Sequence, residues 1–266
     1  MMLKNQDGTE TFYRTLGDPS DDTLVLLHGL GADHRMWEPQ MGPLVEAGYR
    51  LLVPDLLGHG RSSRVDRLSL QDWQDQLVDL LDERDVERCV PVGVSMGGAI
   101  AQAFAVNHRE RVNGMVLCDT FAELGTPAAK ARGFSQVVAF RIMQVLGRGA
   151  LARAMAAAYK EPFAHRARDY FSEVSLEADP DQLILARKAI NRIDVLGELK
   201  LLDLPALVLV GDQFGTWFIE TNRKVADAIE GARFTVLKES MDPSNLVSPE
   251  AFNREVLRFL SERRER

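Results

Sequence analysis

Apolar positions along the chain form short continuous runs that alternate with longer amphipathic stretches. Such runs are typical of strands covered on both faces of a parallel sheet. They are TLVLLHG (23–29), RLLVPD (50–55), RCVPVGV (88–94), VNGMVLCD (112–119) and ALVLVG (206–211). Near the N-terminus, TETFYRTLG (9–17) instead alternates apolar and polar residues, which predicts an antiparallel strand, and ARFTVL (232–237) is the last strand-like run.

Segments with helical periodicity separate these predicted strands. They cover residues 36–48, 69–85, 96–108 and 218–231, and a final helix begins near Pro249. A repeated strand, helix and strand predicts a parallel sheet with right-handed crossover connections. The chain therefore belongs to the α/β class.

The strand signal stops between about residues 121 and 200. The stretches 136–159 and 181–193 are rich in Ala, Arg and Met and have helical periodicity. We therefore expect an α/β core built from residues 1–120 and 201–266, with residues 121–200 inserted as a helical cap.

Composition narrows the class of protein. Hydrophobic residues make up 45% and charged residues 27% of the chain, as in soluble globular proteins, and the net charge of −7 disfavours nucleic acid and anionic membranes as partners. No apolar run has the length of a signal peptide or membrane span. Cys89 and Cys118 lie inside apolar runs, so we expect free buried thiols, a reducing compartment and a cytoplasmic protein. The oligomeric state does not follow from the sequence.

The segment G-V-S-M-G (93–97) lies between a predicted strand and a predicted helix. In this context the small residues permit a sharp turn that raises the hydroxyl of Ser95 above the sheet as a nucleophile. The Gly-containing loop after the strand at 23–27 supplies a second element. The backbone N–H groups of Leu30 and Met96 are the predicted oxyanion hole.

Together, HGLG (28–31), DLLGHGRS (55–62) and GVSMGG (93–98) resemble the motifs of the α/β-hydrolase fold family. The pattern is most similar to the lactonase, esterase and 3-oxoadipate enol-lactonase-like branch that carries a helical cap. The resemblance implies an eight-stranded, mostly parallel sheet with helices on both faces, and a hydrolase-like enzyme. It says less about the reaction, because one fold supports many chemistries.

The chain departs from the family pattern at both partners of the serine. The family histidine stands seven residues before the proline that opens the last helix, and that position is Asp242 here. The family acid follows the strand at 206–211, where GDQFGTW offers only Asp212. Asp119, at the end of the strand at 112–119, is a second carboxylate on the same rim. The Ser-His-Asp triad is therefore predicted to be incomplete.

Asp242 is the preferred candidate for a replacement base, because a carboxylate desolvated beneath a cap has a raised pKa. Its short side chain predicts contact with Ser95 through a water. The alternative is that Asp242 only caps the turn MDPSN. His34 and His165 are the other candidates for a base.

Aromatic residues suggest a substrate pocket near the serine. Trp37, Phe214 and Trp217 are the predicted substrate-binding residues, with core filling as the alternative.

The sequence thus predicts an enzyme that acts on a small ester, lactone or related carbonyl substrate through Ser95 and Asp242. Two alternatives remain open: a lyase, isomerase or cyclase that uses Asp242 as a base, and a ligand-binding protein that has lost catalysis. No metal site or cofactor is expected, and GVSMGG lacks the Lys of a phosphate-binding loop.

Overall fold

An eight-stranded sheet forms the centre of the molecule, whose computed structural model describes residues 1–264. The strands run in the order β1-β2-β4-β3-β5-β6-β7-β8. They are β1 (Met2–Lys4), β2 (Glu10–Leu16), β3 (Thr23–Leu27), β4 (Arg50–Pro54), β5 (Val90–Val94), β6 (Met115–Cys118), β7 (Ala206–Gly211) and β8 (Arg233–Leu237).

The strand directions confirm the predicted mostly parallel sheet. From β4 across to β8 all neighbours are parallel, whereas β1 and β2 pair antiparallel at one edge. The alternating pattern at 9–17 predicted the antiparallel strand β2. The three-residue strand β1 was not predicted, because it is too short to show a period.

Eleven α-helices are described. They are α1 (Glu38–Glu46), α2 (Leu70–Glu83), α3 (Met96–Asn107), α4 (Pro127–Leu146), α5 (Arg148–Ala157), α6 (His165–Glu177), α7 (Pro180–Ile190), α8 (Leu196–Leu199), α9 (Thr216–Ala228), α10 (Ser244–Val247) and α11 (Pro249–Arg264).

The helices cover both faces of the sheet, as predicted. Alternate residues of each strand point to opposite faces, so β3 sends Val25 and Leu27 to one core and Leu24 and Leu26 to the other. The first core packs against α2, α3 and α9, and the second against α1 and α11. The central strands β3 to β7 are buried along their whole length, which explains their continuous apolar sequences.

The segment between β6 and β7 is helical, with α4 to α8 between Pro127 and Leu199. The single helical stretch expected at 136–159 is two helices, because Gly147 adopts a φ of 86° and ends α4. Helix α6 was not predicted, since it buries only the stripe Ala167, Phe171, Val174 and Ser175. The cap boundaries at 121 and 200 stay a prediction.

Both cysteines are buried free thiols, as expected from their apolar surroundings. Within residues 1–264, no helix combines the length and apolar character that crossing a bilayer requires.

Candidate active site

Ser95 occupies a strained turn between β5 and α3. Its φ of 54° and ψ of −114° lie outside the regions that side-chain-bearing residues ordinarily adopt, at a cost of about 1–3 kcal/mol. Two glycines make the turn possible. A Cβ on Gly93 would overlap the carbonyl oxygen of Gly97, and a Cβ on Gly97 would overlap the carbonyl oxygen of Leu27. The sharp strand-to-helix turn expected of a nucleophile elbow is therefore present in the backbone, and the nucleophilic role of Ser95 stays a prediction.

Asp242 contacts the serine directly. The Ser95 hydroxyl donates a hydrogen bond to Oδ2 of Asp242 over 2.9 Å, with no intervening water. The expectation of a bridging water was wrong, because the loop after β8 carries the backbone of Asp242 close to the elbow. The side chain does not cap the following turn either: α10 begins with Pro243 as its N-cap and has no side-chain cap.

A second carboxylate, Asp119, lies behind this pair at the end of β6. Its side chain is almost completely buried and accepts backbone N–H hydrogen bonds from Gly211 at 2.9 Å and from Ser244 at 2.8 Å. These donors tie the loops after β6, β7 and β8 to one carboxylate. Asp119 therefore positions the loop that carries Asp242.

Burial and mutual repulsion raise the pKa of Asp242 well above its usual range. Desolvation is the largest cause and the charge of Asp119 is the next, while the hydrogen bond from Ser95 and the cation of Arg187 oppose them. Burial also raises the pKa of Asp119, but its backbone N–H donors counteract the shift. Two backbone donors therefore favour the ionised form of Asp119, whereas desolvation and the charge of Asp119 disfavour the ionised form of Asp242.

The two N–H groups of the predicted oxyanion hole flank the serine. The loop of Gly29 and Leu30 lies against the elbow, since a Cβ on Gly29 would stand 3.6 Å from Cβ of Ser95. Met96 is the first residue of α3, where helix geometry leaves the N–H without an intrahelical acceptor. Leu30 lines the cavity beside Ser95, whereas the side chain of Met96 is fully buried.

A cavity of about 580 Å³ opens above the serine and is bounded by cap helices and by α9. Ser95, Asp119 and Asp242 line its floor. Phe214 and Trp217 line it too, each with 39% of its surface exposed. The lining is mostly apolar, apart from a few charged side chains, which suits a small organic ligand.

Trp37 does not reach this cavity, so the prediction that it binds substrate was wrong. Its side chain is completely buried and packs against Phe252, with ring centroids 6.1 Å apart. It belongs to the core between the sheet and helices α1 and α11. The core-filling alternative holds for this tryptophan.

The histidines weighed as alternative bases lie elsewhere. His34 contacts Asp55 through Nδ1 at 2.8 Å, and His165 is an exposed residue whose Nδ1 faces the carbonyl of Pro162. Among residues 1–264 no histidine lines the cavity. His28 holds the loop between β4 and α2, because its Nε2 accepts the N–H of Leu56 at 2.9 Å.

Asp212, at the position where the family acid is usual, also lies outside the cavity. Its side chain contacts Gln213, the N–H of Ser240 and Lys238. The carboxylate next to Asp242 is supplied by β6 instead of β7.

The structure brings Asp33, His34 and Asp55 close enough to hold a metal ion, a cluster that the sequence did not reveal because Asp55 comes from another strand. Its oxygens already have protein donors. Asp55 accepts from the backbone and ring of His34 and from the N–H of Arg61. Asp33 pairs with Arg35 and contacts Tyr170. The cluster therefore cross-links loops.

Arg187 on α7 is a cavity residue that sequence reasoning missed. Only 8% of its surface is exposed, and it lines the same cavity as Ser95 and Asp242. Burial lowers its pKa to about 10, which still leaves it charged at neutral pH. The only sequence signal is a basic residue within the apolar stretch LILARKAI.

Known proteins of this architecture include several hydrolases. The enol-lactonase from Burkholderia xenovorans LB400 superposes with a TM-score of 0.83 at 29% identity, over 98% of this chain and 100% of that chain. The 3-oxoadipate enol-lactonase 1 of Acinetobacter baylyi is 24% identical over 264 residues, which are 95% of this chain and 93% of that protein. The pimeloyl-[acyl-carrier protein] methyl ester esterase of Vibrio vulnificus is 26% identical over 262 residues, 94% of this chain and 98% of that protein. These names confirm the predicted hydrolase-like enzyme class.

The family model described as "Alpha/beta hydrolase family" matches residues 24–255. This match covers the sheet from β3 onwards, the elbow, the cap and the loop of Asp242. Together with the eight-stranded fold, it shows that the chain belongs to the alpha/beta hydrolase family.

Proposed function

We propose that the protein hydrolyses a small ester or lactone through a Ser95–Asp242 pair. The observation that carries this proposal is the 2.9 Å hydrogen bond from the Ser95 hydroxyl to Oδ2 of Asp242. It joins the serine of the elbow to a group that can accept its proton. Nucleophile and base within hydrogen-bond reach are the requirement for serine catalysis.

The reaction follows from this geometry. As Oγ of Ser95 attacks the carbonyl carbon, its proton moves to ionised Asp242, and the N–H groups of Leu30 and Met96 receive the negative oxygen. Asp242 then gives the proton to the departing alcohol or ring oxygen. In the second half, water attacks the acyl-serine, its proton passes to Asp242 and then to Oγ, and the acid product leaves.

An ordinary aspartate is too weak a base for this role, but the surroundings of Asp242 strengthen it. Burial and the charge of Asp119 raise its pKa, which brings it closer to neutral pH, where general bases are most effective. Asp119 thus supports Asp242 as a buried carboxylate supports the histidine in a triad. The residues present supply every proton transfer without a metal or cofactor.

Two further observations support an ester or lactone substrate. The cavity is mostly apolar, with Phe214 and Trp217 along its wall. Relatives over almost the whole chain are named as an enol-lactonase and a methyl ester esterase.

Labelling with a fluorophosphonate, followed by intact mass, tests the proposal. We expect one adduct on the parent protein, none on Ser95→Ala, and labelling slowed at least 100-fold in Asp242→Asn, since removal of a triad base has effects of this order or larger. Asp212→Asn is the matched control, because it removes a neighbouring carboxylate that lies outside the cavity, and it should label like the parent. Equal labelling of Asp242→Asn and parent would refute the role of Asp242 as base.

A non-hydrolytic proton transfer is the second candidate, favoured by the raised pKa of Asp242 beside the cavity. In that case Asp242 moves a substrate proton and the oxyanion hole stabilises an enolate, without an acyl-serine. Turnover that survives in Ser95→Ala would identify this lyase or isomerase class. Tight binding without turnover would identify a ligand-binding protein.

A further inference from the structure

Arg187 is a buried cation that pairs with no anion among residues 1–264. Within the described residues, its Nε has no hydrogen-bond acceptor and no carboxylate lies within 4.0 Å of its guanidinium nitrogens. Its guanidinium carbon lies 5.7 Å from the ring centre of Phe121, which satisfies none of its N–H groups. A charged group with unmade hydrogen bonds is costly in a protein interior unless something pairs with it.

A glycine allows helix α4 to pack closely against the guanidinium. Gly133 lies on α4 where that helix packs against α7, and a Cβ there would stand 3.1 Å from Nη2 of Arg187 and 2.5 Å from Oδ1 of Asn191. Gly133 and Arg187 both line the cavity. Because Arg187 lines the cavity, a ligand that occupies the cavity can contact it.

Two more cations line the cavity, although the carboxylate of Glu123 lines it too. Arg132 and Lys224 line it, and the guanidinium of Arg132 stacks 3.4 Å from the ring centre of Trp217. Helices α4 and α5 contain five basic residues and no acidic one, although the whole chain has a net charge of −7. Such a patch attracts anions towards the cavity.

We propose that Arg187 binds a carboxylate of the substrate, so that the enzyme acts on an ester or lactone that bears a second, ionised acid group. This proposal rests on the proposed function and deepens it. Guanidinium binds carboxylate through two parallel hydrogen bonds, which fixes both distance and orientation. The carboxylate is held at Arg187 on α7, while the reacting carbonyl lies at Ser95 on the same cavity.

The competing explanation is that Arg187 serves only to balance the negative charge of Asp119 and Asp242. The charge of Asp242 does favour the charged form of Arg187, but the two groups form no ion pair within 4.0 Å in the described chain. A guanidinium placed only to balance charge would not need to line the cavity with its Nε left without an acceptor in the described chain.

Calorimetry with glutarate and its neutral diamide, glutaramide, tests the proposal without any turnover. We expect the parent protein to bind glutarate roughly 10- to 100-fold more tightly, and Arg187→Gln to lose this preference. Lys188→Gln is the matched control, because it removes a positive charge from the adjacent, exposed position on α7, and it should keep the preference. Equal binding of the two probes to the parent, no binding of glutarate, or a retained preference in Arg187→Gln would each overturn the proposal.

A pair of 4-nitrophenyl esters, the butyrate and the glutarate monoester, separates this proposal from the hydrolytic one. Arg187→Gln should raise KM for the anionic ester about 10-fold or more beyond any change for the neutral ester, and Arg187→Lys should restore part of the difference. If neither ester is hydrolysed, the proposed function fails while calorimetry still decides on Arg187. If both esters turn over with equal losses in Arg187→Gln, the carboxylate proposal fails and the hydrolytic one stands.

Discussion

Asp242 has two neighbours that give a carboxyl group unusual properties. Ser95 donates a hydrogen bond to it, and Asp119 lies behind it with backbone donors of its own. An aspartate in solvent is a weak base because its pKa is low. Asp242 is a stronger base, because burial and the like charge of Asp119 both favour its protonated form and so raise its pKa.

The rate of Ser95 labelling should therefore depend on pH. Only ionised Asp242 can take the serine proton, so labelling by a fluorophosphonate should rise with pH through the raised pKa of Asp242. In Asp119→Asn one negative charge is removed, which lowers the pKa of Asp242 and should move the rise to lower pH. Rates measured from mildly acidic to mildly alkaline pH check this direction.

Asp212→Asn is the control for that profile, because Asp212 lies outside the cavity and its removal should leave the midpoint in place. An unchanged midpoint in Asp119→Asn, with labelling still dependent on Ser95, would contradict the coupling of the two carboxylates.

At this scale the sequence revealed part of the site. Ser95 follows from the G-x-S-x-G pattern between a strand and a helix, and Asp242 from its distance to Pro249. The direct contact between them depends on loop geometry that spacing does not encode. Arg187 was missed for a related reason: it belongs to no motif, and only the packing of α7 above the elbow brings it to the cavity.

The elbow is the element on which the site depends most closely. β5 must turn into α3 within one residue, and the backbone of Leu27 lies directly against Gly97. No flexible side chain is available to move aside there. The turn therefore tolerates only hydrogen at these Cα positions.

Gly97→Ala should destabilise the protein by about 3 kcal/mol, since its Cβ meets backbone oxygen that cannot shift locally. Ser95 labelling should fall in the fraction that remains folded. Gly42→Ala is the matched control in α1, where nothing lies within 4 Å of the new Cβ, and it should be neutral or stabilising by up to about 1 kcal/mol. Urea unfolding of both variants measures the difference, and equal stabilities would contradict the steric account of the elbow.

Elements differ in how well the sequence predicts them. Continuous apolar runs predicted β3 to β7 because both faces of those strands are buried. Cap helices were harder, since α4 buries only Gly133 and Val137 and its sequence has little periodicity. A helix that buries only one narrow stripe needs few apolar residues, so its sequence shows only a weak helical periodicity.

At the scale of the whole molecule, a polar contact joins the cap to the core. Tyr170 on α6 accepts the N–H of Asp33 at 2.8 Å, and Arg35 pairs with Glu177 at 2.8 Å. Asp33 follows β3 in the loop that also carries Leu30. Movement of the cap is therefore linked to the loop that carries half of the predicted oxyanion hole.

Tyr170→Phe should loosen α6, because the N–H of Asp33 loses its acceptor at a cost of about 1–3 kcal/mol. Hydrogen exchange of the α6 amides should become faster, while the amides of β5 and β6 keep their protection. Ser172→Ala is the control on the same helix, since its hydroxyl contacts only the carbonyl of Asp169. Equal protection of α6 in Tyr170→Phe and the parent would show that the contact does not restrain the cap.

The cavity has no imidazole among the residues of the described chain that line it. Reagents that alkylate or acylate imidazole inactivate ordinary serine enzymes, because they modify the histidine that acts as the base. In this protein the corresponding position beside Ser95 holds a carboxylate, which these reagents do not modify. Carboxyl-modifying reagents, which leave histidine-dependent enzymes with their base intact, have their target in Asp242. We therefore expect carboxyl-modifying reagents to inhibit this protein, as they inhibit enzymes that use a carboxylate as the base. A fluorophosphonate would still label a serine.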